Sequence, residues 1–240
     1  MLVISIYNIK GGVGKTSTTI NLAYNASKKY KVLIWDLDPQ GASTFFLNRN
    51  TKKRDYFNKF NKNGISKYIK HTEYPNLDLI PADLDFRNID LLLEDNLFLK
   101  SKLDELSMYD FIFLDSPPTL SPISKNIFKA SDIIVIPTIP TVLSVRTYNQ
   151  ILDIYKKDLK NKKILTFLSM VDKRKNMHMD ITKKILSLPK KQILKTPIYN
   201  SSVIEKMGEK LAPVETFAPT SEASENYKKL WNEIENKLSN

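Results

Sequence analysis

The sequence predicts an α/β protein built on a doubly wound, mostly parallel sheet with helices on both faces. Three observations carry this prediction. Short apolar runs recur along the 240 residues, bounded by polar or turn residues and without strict alternation, as in strands buried on both faces. Helix-compatible segments separate several of these runs, the pattern of crossover connections. A glycine-rich turn joins the first run to the first helix-compatible segment, which is the setting of a phosphate-binding loop.

The first strand is expected over Leu2–Tyr7, and the loop follows as Asn8-Ile9-Lys10-Gly11-Gly12-Val13-Gly14-Lys15-Thr16-Ser17. Gly11, Gly12 and Gly14 permit backbone angles that let successive N–H groups turn inward around an anion. The helix that starts next, carrying Ile20-Asn21-Leu22-Ala23, adds the partial positive charge of its N-terminus. Lys15 can reach the β- and γ-phosphates of a nucleotide, and the Thr16 hydroxyl can ligate Mg²⁺. The strict pattern G-x-x-x-x-G-K-[ST] fails at Ile9, and a second lysine, Lys10, stands inside the loop. Two ammonium groups around one anion site repel each other unless something strongly negative lies between them, and a nucleoside triphosphate meets that need. Lys10 could serve its own nucleotide or one held by a second subunit.

The second strand, Val32–Trp35, ends in Asp36-Leu37-Asp38-Pro39-Gln40-Gly41. Side chains two apart in a strand share a face, so Asp36 and Asp38 can both point toward the loop. One carboxylate near Mg²⁺ can hold metal-bound water, and another can orient the water that attacks the γ-phosphate. Residues 48–70 are polar, rich in Lys, Asn and Arg, and read as an exposed connection with some helix. Further strands are expected at Leu77–Ile80, Phe111–Leu114, Ile133–Ile136 and Ile164–Met170, with a weaker one at Gln192–Leu194. The run Phe111–Leu114 closes on Asp115-Ser116-Pro117-Pro118, a Walker B arrangement whose carboxylate meets Mg²⁺ through water. A helix is expected over Tyr148–Leu159, and Tyr227, Leu230, Trp231, Ile234 and Leu238 form an apolar stripe on a terminal helix.

No linker or repeat divides the chain, so residues 1–240 are expected to form one domain. The absence of cysteine excludes disulfides, thiolate zinc sites and cysteine-ligated iron–sulfur clusters, and fits a reducing cytoplasm. No apolar run approaches the roughly 20 residues of a membrane span. The net charge of +11 is unevenly placed: residues 141–210 hold 16 basic and 6 acidic side chains, an excess of 10. Such a concentration fits an acidic partner such as nucleic acid, or a lysine-coated solvent face. His71 and His178 are isolated and read as surface or core histidines.

The three acidic and glycine-rich segments, in this order, resemble the deviant Walker A ATPases of the ParA/MinD superfamily, a class of P-loop NTPases. Among these the chain is most similar to the ParA (Soj-type) DNA partition ATPases. The motif K-G-G-V-G-K-[ST] runs from Lys10 to Thr16, D-x-D-P-Q-G from Asp36 to Gly41, and the apolar run with D-x-P-P from Phe111 to Pro118. The resemblance implies ATP and Mg²⁺ as cofactors and a homodimer that sandwiches two nucleotides. It implies that Lys10 contacts the partner's ATP, that Lys15 binds phosphates within a loop of Gly11, Gly12, Val13, Gly14, Thr16 and Ser17, and that Thr16 binds Mg²⁺. It further implies that Asp38 positions the hydrolytic water, that Asp36 and Asp115 support the metal, and that Asp172 lies near the adenine. The ATP-bound dimer would bind DNA without sequence preference until a centromere-binding, ParB-like partner stimulates hydrolysis, moving plasmid or chromosome copies apart in the cytoplasm on the nucleoid.

In the family, DNA-contacting basic residues follow the strand matched by Ile164–Met170, where Lys173, Arg174 and Lys175 stand. At a second place Asn200-Ser201-Ser202-Val203 replaces the usual arginine, and Lys206 and Lys210 are nearby substitutes. Longer partition ATPases carry an N-terminal helix-turn-helix domain, for which a first strand at residue 2 leaves no room. The rival resemblance is a MinD-like membrane-positioning ATPase, which the terminal apolar stripe invites. Against it, residues 222–240 hold three lysines and four glutamates, whereas interfacial helices favour a basic polar face. A cargo-positioning adaptor ATPase is a further alternative, and an ATP-dependent amide-forming ligase lacks an evident second substrate site.

Overall fold

A computed structural model describes residues 1–47, 64–82, 97–154 and 162–238. Its sheet contains β1 (Leu2–Ile6), β2 (Val32–Asp36), β3 (Lys70–His71), β4 (Leu77–Ile80), β5 (Phe111–Asp115), β6 (Ile133–Thr138) and β7 (Lys163–Leu168). Their order across the sheet is β3-β4-β2-β5-β1-β6-β7, and only β3 runs antiparallel. The helices are α1 (Lys15–Ser27), α2 (Ala42–Leu47), α3 (Phe98–Leu103), α4 (Pro122–Ala130), α5 (Val142–Ile154), α6 (Asn176–Leu186), three single turns α7 (Ser202–Glu205), α8 (Met207–Lys210) and α9 (Val214–Phe217), and α10 (Glu222–Leu238).

The strands are buried on both sides because successive residues feed two separate cores. Leu33, Trp35, Ile112 and Leu114 face one core with Leu99, Ile127 and Phe128 from α3 and α4. Val32, Ile34, Phe111 and Phe113 face the other with Ile20 and Leu22 of α1 and Leu230, Trp231 and Ile234 of α10. The edge of the Trp231 ring meets Phe111 at a centroid distance of 5.3 Å. The terminal apolar stripe therefore docks on the sheet beside α1.

All six main strands fall where the apolar runs place them. The run ending at Met170 stops at Leu168, since Met170 has a φ of 52° and leaves extended geometry. Gln192–Leu194 makes one parallel bridge, Ile193 to Thr166, rather than a strand. Two-residue β3 has too little periodicity to be visible in the sequence. Most of the polar connection over 48–70 lies outside the described residues, as does the end of the helix expected over Tyr148–Leu159.

After β1 the chain moves to one side of the sheet, and after β5 it moves to the other, reaching β6. Ligands of such sheets sit beyond the carboxyl ends of the strands where the direction reverses. The glycine-rich loop stands there, at the end of central β1.

Candidate functional site

The loop's shape follows from two glycines. Gly12 and Gly14 have φ of 69° and 84°, values that a side chain disfavours. A Cβ on Gly14 would also stand 3.1 Å from the Ser169 hydroxyl. That hydroxyl donates to the Val13 carbonyl at 2.9 Å, tying the loop to the end of β7. Asn8 donates to Pro137 O at 2.8 Å and accepts from the Lys10 amide at 2.9 Å, fixing the loop's other end. Gly14 stands at the N-cap of α1, and no side chain caps this end. The first amides of α1 therefore have neither an intrahelical nor a capping acceptor, and they suit an anion.

Beneath this helix end lie two carboxylates. The register pairs Asp36 with Asp115 on neighbouring β2 and β5, and both are fully buried. Asp115 accepts from Ser43 at 2.7 Å, from Thr16 at 2.9 Å and from Thr19 at 3.4 Å. Asp36 accepts from the Thr44 amide and hydroxyl at 2.8 and 2.7 Å and from the Asp38 amide at 3.2 Å. Burial pushes the Asp115 carboxyl up to about 6, although the hydrogen bonds from Ser43 and Thr16 and the charge of Lys15 oppose the shift. Burial and the neighbouring Asp115 raise Asp36 well above the usual carboxylate range. Lys15 is itself buried, which lowers its pKa against the pull of Asp115 and Asp38, and its ammonium donates to Lys10 O at 3.1 Å.

Two buried acids beside a serine and three threonines make an all-oxygen donor set, the kind preferred by a hard divalent cation. Burial disfavours the charged form of both carboxylates, a cost that a bound cation would offset, and this oxygen donor set fits Mg²⁺. The described residues contain no group of three or more acidic, His or Cys side chains able to hold a metal alone. Phosphate oxygens would have to complete the shell.

Gly11 to Ser17, Lys15, Asp36, Asp38 and Asp115 thus gather at one end of the sheet. Asp38 is half-buried, and its carboxylate accepts from the Gln40 amide at 2.9 Å. The Lys10 ammonium turns toward Ser144 at 3.4 Å, near the start of α5. Asp172 forms hydrogen bonds with Arg174 and His178 and none with the loop. Arg174 grips it through both Nε and Nη2 at 3.0 Å, holding the Asp172 carboxyl down at about 2. Lys173 bonds Glu222 at 2.5 Å and lies 4.0 Å from the Tyr199 ring centroid. Lys175 is 3.8 Å from Asp172, and Lys210 bonds Glu209 at 2.9 Å. Lys206 is exposed at the N-cap of α8. Ser43, Thr44 and Ser169 were not legible in the sequence. Serine and threonine after a turn carry no signal until folding brings them to a carboxylate or a carbonyl.

The family model described as an AAA domain matches residues 1–166. The Soj sporulation initiation inhibitor of Bacillus subtilis is 29% identical, with 97% of each chain covered. The chromosome partitioning protein ParA of Myxococcus xanthus is 30% identical over 97% of this chain and 87% of its own length. Among solved structures, a plasmid partition protein of Borrelia burgdorferi B31 bound to AMPPNP superposes with a TM-score of 0.86 at 25% identity, covering 98% of this chain and 99% of the other. Matched along nearly its whole length by these relatives, and carrying a glycine-rich loop beside paired strand-end carboxylates, this chain belongs to the ParA (Soj-type) family of P-loop ATPases.

Proposed function

We propose that this protein is a DNA partition ATPase. It would bind ATP and Mg²⁺, form a nucleotide-sandwich homodimer, hold DNA without sequence preference, and release it after hydrolysis stimulated by a ParB-like, centromere-binding partner. The observation that carries the reading is the convergence of Thr16 and Ser43 on buried Asp115, beside buried Asp36, under the uncapped start of α1. Full-length similarity to Soj and ParA proteins supports the choice of biological role.

In this reading the backbone of Gly11 to Ser17 cradles the phosphates, and Lys15 neutralises them. Thr16 and Asp115 would hold Mg²⁺, with Asp36 supporting it from the next strand. Bound Mg²⁺ supplies positive charge to the phosphate oxygens. Asp38 orients the attacking water from the half-buried turn after β2. Burial already lowers the pKa of Lys15, so an arriving triphosphate relieves an existing charge deficit.

The membrane-positioning reading loses its main support. Tyr227, Leu230, Trp231 and Ile234 are buried against the sheet, which leaves that stripe no free face for a bilayer. No helix among the described residues is long and apolar enough to cross a membrane.

The test is ATP-dependent retention of random-sequence DNA by the wild type and by Asp38→Ala over a salt series. Asp38→Ala should stay on DNA with ATP long after the wild type has turned over and left. Loss of DNA affinity in the variant would remove Asp38 from the water-positioning role. A wild type that ATP leaves monomeric, with no gain in DNA binding, would sink the partition reading.

A further inference from the structure

The basic residues that the sequence points to are largely neutralised in the fold. Lys173, Arg174, Lys175 and Lys210 each have a carboxylate within 4 Å. A second basic cluster makes no salt bridge, its one acidic neighbour within electrostatic reach among the described residues being Asp132 beside Lys162. At the start of β7, Lys162, Lys163, Lys191 and Lys237 line a cleft of about 790 Å³ with Ile164 and Gln192. None of these four lysines forms a salt bridge among the described residues. Their ammonium groups turn to backbone carbonyls: Lys162 to Lys129 O at 3.1 Å, Lys237 to Lys191 O at 2.9 Å, and Lys163 to Lys237 O. The accepting carbonyls of Lys129 and Lys237 lie in the last turns of α4 and α10, whose negative dipole ends favour cations. Each of these three ammonium groups has three donors and uses one, while the Lys191 side chain is exposed and its ammonium meets no acceptor among the described residues.

We infer that this cleft is a second, nucleotide-independent site for the phosphate backbone of DNA. The choice of DNA rests on the partition reading; the charge of the cleft does not. Position separates it from the ATP site. It opens at the first residues of β7, whereas the strand's far end reaches the P-loop through Ser169. A six-residue strand puts about 17 Å between the two ends. The cleft also lies at the opposite end of α10 from Glu222, the partner of Lys173. A 17-residue helix separates its ends by about 25 Å.

The chemistry favours a phosphate polymer over an acidic peptide. Strand addition has little room here, because the next outward-facing residue of β7, Thr166, already exchanges backbone bonds of 2.8 Å with Gln192 and Leu194. What the cleft offers is a set of flexible point charges, which bind phosphates without reading sequence. The segment 183–195 that carries Lys191 holds five lysines and no acidic residue, and Glu233 of α10 is the acid that meets it, at the Lys195 amide.

The experiment measures binding of a random-sequence duplex by fluorescence anisotropy, from about 50 to 200 mM salt, without nucleotide and then with ATP. Proteins compared are the wild type, Lys191→Gln and the double variant Lys163→Gln/Lys191→Gln. Lys191→Gln removes no recorded protein contact, and thermal melts verify folding of both variants. The nucleotide-free wild type should bind weakly, and the slope of log affinity against log salt should fall by about 0.9 for each lysine removed. An unchanged slope in the folded double variant, or no nucleotide-free binding by the wild type, would overturn the inference. Polyglutamate competing better than DNA would overturn it in favour of an acidic protein partner. If ATP adds no DNA affinity while the nucleotide-free slope still falls, the partition reading fails and the cleft stands.

Discussion

Asp36 and Asp115 face each other across β2 and β5 with both pKa values raised, Asp115 to about 6. The folded protein therefore keeps protons that the unfolded chain releases above about pH 4. The stabilising contribution of this pair is complete at low pH and is lost as pH rises through about 6 for Asp115. Asp172 has the opposite sign. Its lowered pKa, about 2, stabilises the fold above pH 4, and that contribution is lost as pH falls toward 2. Thermal midpoints of the nucleotide-free protein should thus decline between pH 4 and pH 7, and Asp115→Asn should flatten that decline. A variant curve parallel to the wild type would show that the carboxylate is not protonated in the fold. Gly14→Ala is a second residue-scale test. It places a Cβ on a backbone at φ 84° and 3.1 Å from the Ser169 hydroxyl. Fluorescent-ATP titration should show binding reduced at least tenfold, while α1 keeps its helical signal in circular dichroism.

Two helices flank one face of the sheet and divide its work. The N-terminus of α1 is left without a cap, which favours an anion and costs the isolated helix stability. Packing compensates: Ile20, Leu22, Ala23 and Ala26 are buried against β1, β2 and α10. Inside α1, Asn21 accepts from the Val214 amide at 2.8 Å and donates to Ser17 O at 2.7 Å. The phosphate-facing helix is thereby tied to the C-terminal segment. Helix α10 closes this core from outside with Tyr227, Leu230, Trp231 and Ile234. Leu230→Ala should cost about 2–5 kcal/mol in chemical denaturation, as for other buried leucines. The same variant should show no change in binding to anionic liposomes, since the stripe already faces protein. A liposome signal lost with stability intact would revive the membrane reading.

At the scale of the molecule, the strand order determines which residues can cooperate. Because β5 lies between β1 and β2, Asp115 sits between the loop after β1 and the acids after β2. The Lys10 carbonyl meets the Lys15 ammonium, whereas its own ammonium turns toward Ser144. The proposed role across a dimer interface would account for that orientation. Lys10→Ala should retain monomer binding of ATP within a few-fold and lose ATP-dependent dimerisation in analytical ultracentrifugation. Equal loss of both would place Lys10 on its own subunit's nucleotide.

The sequence alone determined the strand positions, the loop and the carboxylates that end β2 and β5. Each depends on local rules: apolar runs for buried strands, glycine for left-handed angles, an acid where a strand meets its ligand. The family resemblance extended this to ATP and Mg²⁺. Only the tertiary structure decided which side chains serve those acids and which brace the loop. Ser43, Thr44 and Ser169 stand 72, 8 and 156 residues from their partners, and no sequence pattern links them. It also decided which charges are free. Lys173, Arg174 and Lys175 read as an open basic run, but folding pairs them with Glu222 and Asp172. The lysines at the start of β7 look ordinary in the chain and become a cluster because the start of β7, the end of α10 and residues 191–192 come together. Charge density is a property of space, and the order of residues constrains space only through packing.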